Sequence, residues 1–126
     1  MATGGIITDV GKNLMLRRLY LSDQTATTQF KVGTGTNTPA TTDTDLQTPV
    51  LTKVFVAGYP IFDITNKKVT VRGFISSTEA NGSSLTETGE FNTDTPFKMI
   101  SRDVYPLISK TSSDELAYLW THKIID

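Results

Sequence analysis

Short segments in which apolar and polar residues alternate constrain the fold of this chain more than any other feature. The clearest covers residues 116–125, where Leu116, Tyr118 and Trp120 fall on one side. Successive side chains of a β-strand face opposite sides, so alternation at period two indicates a half-buried strand. Similar patterns predict further strands over residues 29–32, 51–56, 68–75, 86–91 and 98–104.

Residues that favour turns separate these segments. Asn81-Gly82 is the strongest short turn signal in the chain, and residues 64–67 contain Asn66, which tolerates the left-handed conformation of a tight turn. Pro60 and Pro106 lack the amide that a central strand must donate, which argues against central strand positions near them. Close turns favour antiparallel neighbours.

One N-terminal segment has helical spacing instead. Thr8 or Asp9 can cap a helix through a side-chain oxygen, and Val10, Leu14 and Leu19 then repeat at helical intervals. The spacing predicts a helix over residues 9–20, although the glycine at position 11 is unfavourable within it.

One helix followed by six or seven short strands predicts a mainly β fold with one N-terminal helix. The architecture that suits this order is a small antiparallel β-sandwich or barrel with the helix packed on it. A length of 126 residues corresponds to one ordinary domain. We expect an N-terminal arm over residues 1–7 and a single helix-plus-β domain over residues 8–126.

Composition excludes several classes of function. The formal net charge is -1, without the basic excess of a general nucleic-acid binder. The chain has no cysteine, which excludes disulfides and thiolate metal sites. It has no apolar run of the roughly 18 residues that a membrane span needs, and no signal-peptide pattern. We therefore expect synthesis in the cytoplasm, no nucleic-acid partner and no membrane association.

The segment FKVGTGTNTPATTDTDLQTPV, residues 30–50, begins like a nucleotide-binding loop because Gly33 and Gly35 follow a strand. A dinucleotide site needs a third glycine and an immediate helix, and a P-loop needs Gly-Lys-Ser or Gly-Lys-Thr. Both patterns are missing, and Pro39 prevents a helix from starting immediately after the glycines. We predict an ordered turn and loop, anchored at its far end by Leu46, and no cofactor.

No catalytic or metal-binding pattern is visible. The only histidine is His122, and no glycine pattern marks a serine nucleophile for it to activate. Asp43 and Asp45 alternate as calcium ligands sometimes do, but the spacing of a calcium loop is absent. The scattered acids are expected to keep exposed strand edges soluble; they are Glu79, Glu87, Glu90 and Asp94.

The aromatic residues are expected mainly in the core. A ligand-stacking platform for a carbohydrate would require Tyr59, Tyr105 or Trp120 to be exposed. Several large aromatic side chains occur singly on strand-like segments, which is typical of core packing; they are Phe55, Phe62, Phe74, Phe91, Phe97 and Trp120.

The order of motifs along the chain resembles the N-terminal, virion-attaching domain of phage tail-collar fibre proteins. Those domains enter a helix through a threonine and a glycine, as at Thr8 and Gly11, and follow with a strand that ends in a Val-Gly turn and a proline-containing spacer. The corresponding segments here are Val32-Gly33-Thr34-Gly35 with Pro39 and Leu46, then Leu85 to Phe91, then Tyr105 to Lys110, then Asp114 to Ile125. Thr88 and Glu90 stand where the family usually has apolar residues.

The resemblance implies a phage virion structural protein that is not an enzyme, located in the virion and bound to tail, baseplate or capsid proteins. Because such fibres are commonly trimeric or of higher symmetry, it also implies a homo-oligomer. The arm, with Ile6 and Ile7, is expected to add a strand to a neighbour. The loop that follows the predicted strand over residues 29–32 is expected to supply further subunit contacts, which are Gly33, Gly35, Pro39 and Leu46.

Three alternatives remain open. A capsid decoration protein would use the same kind of domain between capsid subunits. A carbohydrate-binding receptor module would need exposed aromatic residues, and a small hydrolase would need Glu87, Glu90 and Asp94 to meet in one pocket.

Overall fold

The structure, a computed structural model, describes residues 5–125. Strands account for most of the regular structure, and a single helix lies near the N-terminus. In chain order the elements are β1 (Ile6–Ile7), α1 (Asp9–Tyr20), β2 (Thr27–Gly33), β3 (Pro49–Val54), β4 (Ile61–Asp63), β5 (Lys68–Ile75), β6 (Ser84–Asn92), β7 (Met99–Ser109) and β8 (Leu116–Lys123).

The strands form two antiparallel sheets. Sheet A has the order β1-β7-β6-β2-β3, and sheet B has the order β4-β5-β8. Every pair of neighbouring strands is antiparallel, and the sheets are not closed into a barrel. The predicted mainly β sandwich with one N-terminal helix is therefore confirmed, and the barrel alternative is wrong.

The main core lies between the two sheets. Phe30 and Val32 of β2 pack against Val71 of β5 and against Tyr118 and Trp120 of β8. The Phe30 ring centroid lies 5.6 Å from that of Trp120 and 6.0 Å from that of Tyr118. All five side chains are buried. The alternation predicted for β8 thus places its inward residues in this core.

A second, smaller core covers the opposite face of sheet A. Leu46, from the loop between β2 and β3, packs with Phe91 and Met99, and Phe97 lies alongside. The Lys31 ammonium lies 3.4 Å from the Phe97 ring centroid, so its charge is held over an aromatic face. Sheet A is covered on both faces, and its central strand β6 is buried almost throughout.

Helix α1 packs against β7 through its first half. The Thr8 hydroxyl accepts a hydrogen bond from the Gly11 amide at 2.9 Å, which caps the helix as predicted. Gly11 lies directly on β7, where a Cβ atom would stand 2.5 Å from the Ile100 carbonyl oxygen. Leu14 is buried, but the later apolar residues of α1 are exposed. The predicted bounds of the helix are confirmed.

Two local predictions need correction. Pro106 lies inside β7, because a bulge lets three residues of β7 oppose one residue of β6 between the pairs Leu85–Ile108 and Glu87–Val104. A proline is tolerated at such a bulge, where ladder pairing is interrupted. In the turn after β4 the left-handed residue is Lys67, with φ of 56°, rather than Asn66.

Among residues 5–125, no helix has the length and apolar character needed to cross a membrane.

Candidate functional site

A buried carboxylate organises the loop between β2 and β3. Glu87 of β6 is fully buried and accepts hydrogen bonds from three loop amides, those of Gly35 and Thr48 at 2.8 Å and of Gln47 at 2.9 Å. The amides come from both ends of the loop, so the Glu87 side chain holds the two ends of the loop close together. The loop is therefore an ordered structure, as predicted.

Arg102 of β7 completes this arrangement. Its guanidinium donates to Oε1 of Glu87 from Nε at 3.1 Å and from Nη2 at 2.9 Å. It also donates to Asp43 at 3.1 Å and to Asn37 at 2.6 Å, both in the loop. We name this set, Glu87 and Arg102 with their loop partners, the loop clamp. Paired and hydrogen-bonded in this way, two buried charges are compatible with the interior.

The loop residues predicted as subunit contacts are mostly internal. Gly33, Gly35 and Leu46 are buried within the chain, and Pro39 is half-buried. A Cβ atom at Gly33 would clash with the Thr48 carbonyl oxygen, so the glycine permits close chain packing. Gly33, Gly35 and Leu46 therefore contact other parts of the same chain. Their role as subunit contacts stays a prediction.

The predicted arm is used within the chain. Ile6 and Ile7 form β1 and pair with Arg102 and Ser101 of β7, so their backbone extends sheet A of the same molecule. Residues 1–4, the remainder of the arm, lie outside the described residues. Ile6 and Ile7 therefore pair within the chain on the β7 side. The addition of a strand to a neighbour stays a prediction.

A second buried carboxylate joins the two sheets. Oε2 of Glu90, on the inner face of β6, lies 2.6 Å from Nε2 of His122 on β8 and 2.6 Å from the Ser101 hydroxyl on β7. The hydrogen bond to Glu90 raises the pKa of His122, and the charge of the nearby Asp103 adds to this. Burial raises the pKa of Asp103, and the charge of Glu90 raises it further.

This cluster does not have the geometry of a nucleophilic triad. Ser101 donates its hydroxyl to Glu90, and His122 contacts the same carboxylate oxygen rather than the serine. In a nucleophilic triad the serine hydroxyl is hydrogen-bonded to the histidine that removes its proton. The contact between Glu90 and His122 is a charge-assisted hydrogen bond that links the two sheets.

A broad groove opens beside this link. It encloses about 920 Å³ between α1 and the end of sheet B. Leu14 and Met15 of α1 line one side, Phe62 of β4 and Val69 of β5 line the other, and Ile100 of β7 lies at the base. The register pairs Phe62 with Val69, so both side chains face α1 from the inner face of sheet B. Sheet B extends here beyond the part that sheet A covers.

The groove is apolar and open to solvent. Phe62 is 69% exposed and Met15 is 44% exposed, and Ile64 and Ile124 at its edge are each 79% exposed. The prediction that Phe62 belongs to the core is wrong, because nothing among residues 5–125 covers this end of sheet B. Large exposed apolar patches on a folded domain mark contact or ligand-binding surfaces.

The residues weighed for other functions are dispersed or buried. Trp120 and Tyr105 are each 6% exposed, so they provide no stacking platform for a carbohydrate, and Tyr59 is half-buried. Glu87 and Glu90 point to opposite faces of sheet A, which separates the carboxylates proposed for a hydrolase pocket. Among residues 5–125, no group of three or more potential ligands is arranged to hold a metal ion.

Sequence reasoning missed both buried carboxylates. Glu87 and Glu90 were expected at exposed edges, but β6 is the central strand of sheet A. The partners of Glu87 lie 15 to 52 positions away along the chain. In the predicted strand over residues 98–104, Arg102 lies two positions from the apolar Ile100 and two from the apolar Val104. This alternation is the one local signal that favours a buried ion pair.

Comparison with known proteins gave no match: no protein-family model, no curated protein and no solved structure is similar to this chain.

Proposed function

We propose that this chain is a phage virion structural protein, an attachment module of a tail fibre, collar or baseplate that acts through protein–protein contacts. The resemblance in the order of motifs supports the virion assignment. The apolar groove between α1 and sheet B supports the mode of action, and it is the observation on which the proposal chiefly rests.

The groove has the properties of a protein contact surface. Phe62, Ile64 and Ile124, which line the groove, are between 69% and 79% exposed. Leaving such side chains in water forgoes roughly 1.5–3 kcal/mol for each one that could be fully buried. A partner protein that covers the groove would recover part of this free energy, which is the usual origin of affinity at stable interfaces.

The loop clamp supports a mechanical role. It fixes the 34–48 loop through two charged side chains, Glu87 and Arg102, that are both buried. Satisfied buried polar networks rigidify the segments that they join. A module that transmits force within a particle benefits from loops that hold one conformation.

Mass spectrometry of purified particles tests the assignment. Particles produced by the genome that encodes this chain are purified by density gradient, and peptides of the chain are quantified against a major structural protein. A constant ratio across gradient fractions supports the proposal, and absence of the chain from particles overturns it. Separated tails and heads then decide between a tail position and the capsid decoration alternative.

Homo-oligomerisation is part of the proposal. Native mass spectrometry of the purified chain is expected to give a closed homo-oligomer, with a trimer as the expected species. A monomer at all concentrations would contradict this part.

A further inference from the structure

The buried ammonium group of Lys110 donates its hydrogen bonds to neutral oxygen atoms. Lys110 directly follows β7 and is 1% exposed. Its Nζ donates to Oδ1 of Asn81 at 2.8 Å and to the Thr111 carbonyl oxygen at 3.0 Å. No carboxylate of residues 5–125 lies within 4.0 Å of this ammonium group. A buried charge without a counter-ion is costly, and neutral oxygens offset only part of the cost.

The charge of Lys110 also acts on Asp114, but from beyond ion-pair distance. The Asp114 carboxylate accepts hydrogen bonds from the amide and the hydroxyl of Thr111, each at 2.9 Å. These hydrogen bonds lower the pKa of Asp114, and the charge of Lys110 contributes less. Asp114 is therefore held in its own turn and does not neutralise the buried ammonium group.

The side chain that accepts from Lys110 belongs to an Asn-Gly sequence. Asn81 and Gly82 lie in the exposed turn before β6, and Asn81 is the only asparagine of the chain that glycine follows. Because glycine has no Cβ to hinder the approach, its amide nitrogen can reach the side-chain carbonyl carbon of the preceding asparagine. Spontaneous deamidation begins with this approach.

Deamidation at this bond has two steps. The Gly82 nitrogen gives its proton to water and forms a bond to Cγ of Asn81, and Nδ2 leaves as ammonia with a proton from water. A water molecule then opens the cyclic imide. Cleavage of the bond between Cγ and nitrogen gives aspartate, and cleavage of the main-chain bond gives isoaspartate. The net reaction consumes a water molecule and releases an ammonium ion.

The position of Lys110 favours the aspartate product. Its Nζ contacts Oδ1, the oxygen that gains negative charge when Cγ of Asn81 is attacked. A positive donor fixed at that oxygen stabilises the charge. The same contact favours attack of water at Cγ of the imide, which restores the normal backbone and leaves a carboxylate beside the ammonium group.

Local opening of the turn controls the reaction. Nδ2 of Asn81 donates to the Ser77 carbonyl oxygen at 2.9 Å, and the Gly82 amide donates to the Lys110 carbonyl oxygen at 2.9 Å. Both hydrogen bonds must break before the ring closes. Since Asn81 and Gly82 are exposed, the turn can open without global unfolding.

We propose that Asn81 is a site of spontaneous deamidation whose aspartate product forms an ion pair with the buried ammonium group of Lys110. The hydrogen bond from Nδ2 to Ser77 is lost, but it lies at the surface, where water replaces it. The new pair joins the connection between β5 and β6 to the end of β7, so the protein becomes more stable as it ages. This inference does not depend on the proposed function.

Incubation of the purified chain at neutral pH and physiological temperature tests the reaction, with conversion followed by peptide mass spectrometry. The internal control is Asn66, another exposed turn asparagine, whose Nδ2 donates to Asp63 at 2.8 Å and which lysine follows. Asn81 is expected to convert at least about tenfold faster than Asn66. The ratio of aspartate to isoaspartate should be higher than in a synthetic peptide of residues 73–98, which lacks Lys110.

Designed variants test the ion pair. Asn81→Asp is expected to raise the urea midpoint above that of the wild type, and Asn81→Ala to lower it, because Lys110 then loses an acceptor. The gain of Asn81→Asp should be complete above about pH 5 and shrink as the pH falls and the carboxylate is protonated. In a Lys110→Met background Asn81→Asp should bring no gain. The pH series gives the same information if Lys110→Met does not fold.

Three results would overturn the inference. An Asn81 that stays intact in the folded chain after the free peptide has been converted would exclude the reaction. An Asn81→Asp variant no more stable than the wild type would exclude the ion pair. Equal product ratios in the chain and the peptide would exclude the directing role of Lys110. The virion function is tested separately, by the content of purified particles.

Discussion

Arg102 and Glu87 form a buried ion pair between neighbouring strands, with Nε and Nη2 of the arginine both directed at Oε1 of the glutamate. The two side chains are 1% and 0% exposed. The other hydrogen bonds of the pair reach the loop between β2 and β3, so the pair links the sheet to a segment in which Leu46 is the buried apolar anchor. Removal of either partner leaves the other charge buried.

Arg102→Ala is expected to lower the free energy of unfolding by about 3–5 kcal/mol, because it leaves Glu87 buried without its counter-ion. Urea unfolding monitored by tryptophan fluorescence measures the change. The matched control is Arg17→Ala, which removes an exposed pair with Asp23 and should lower the free energy of unfolding far less. Equal losses in the two variants would contradict the account of the loop clamp.

Gly11→Ala is expected to destabilise the protein, although alanine favours a helix by about 1 kcal/mol over glycine. The added Cβ would lie 2.5 Å from the Ile100 carbonyl oxygen and 2.8 Å from its Cα, and both are backbone atoms that cannot rotate away. Overpacking of this kind costs about 1–3 kcal/mol. Thermal unfolding compares it with Asn13→Ala, an exposed change in the same helix that should be neutral or stabilising. A stabilised Gly11→Ala would show that α1 does not pack this closely on β7.

Tyr118→Phe is expected to cost about 1–3 kcal/mol in unfolding free energy, because the buried Tyr105 hydroxyl loses its partner at 2.6 Å. The double variant Y105F/Y118F removes both hydroxyl groups and should be closer to the wild type than the sum of the single variants. A double-mutant cycle in urea measures this coupling. Additive losses would mean that the two hydroxyl groups do not interact.

Stability is expected to fall as the pH rises above neutrality. The pKa of His122 is raised in the folded state, chiefly by its hydrogen bond to Glu90. A raised folded pKa contributes stability that is complete below the unfolded value of about 6.5 and is lost as the pH rises through the folded pKa. The other titratable group beside this pair is Asp103, whose pKa is also raised, chiefly by burial.

Unfolding midpoints measured between about pH 6 and pH 8 test this dependence, which His122→Gln should flatten. Glutamine keeps a donor for Glu90 but does not titrate. An unchanged slope in the variant would place the titration on another group.

Local signals in the sequence were sufficient for several elements. The spacing of Val10, Leu14 and Leu19 gave α1 its observed bounds, and the alternation of residues 68–75 gave β5 its observed bounds. These patterns repeat within a few residues, so they report the conformation of the segment itself. The two-residue β1 and the three-residue β4 are too short to show any period, so their pairing within sheets A and B was not predicted.

The candidate site depended on information that is not local. Glu87 and Glu90 resemble surface residues in a polar segment, but sheet B covers one face of β6 and the loop covers the other. Phe62 resembles a core residue, but it projects past the end of sheet A. Which faces are covered follows from the pairing of distant strands, and no pattern within one strand reveals it.

The central claim, that this chain belongs to a virion and attaches through its groove, is tested most directly by quantifying the chain in purified particles. Wild-type, Phe62→Asp and Leu107→Asp chains are expressed in turn during infection with a phage that lacks its own copy, and the particles are analysed by mass spectrometry. Leu107 is the control, because it is 58% exposed on β7 and does not line the groove. We predict a constant copy number for the wild type and Leu107→Asp and a strong reduction for Phe62→Asp. Absence of the wild-type chain from the particles would contradict the claim.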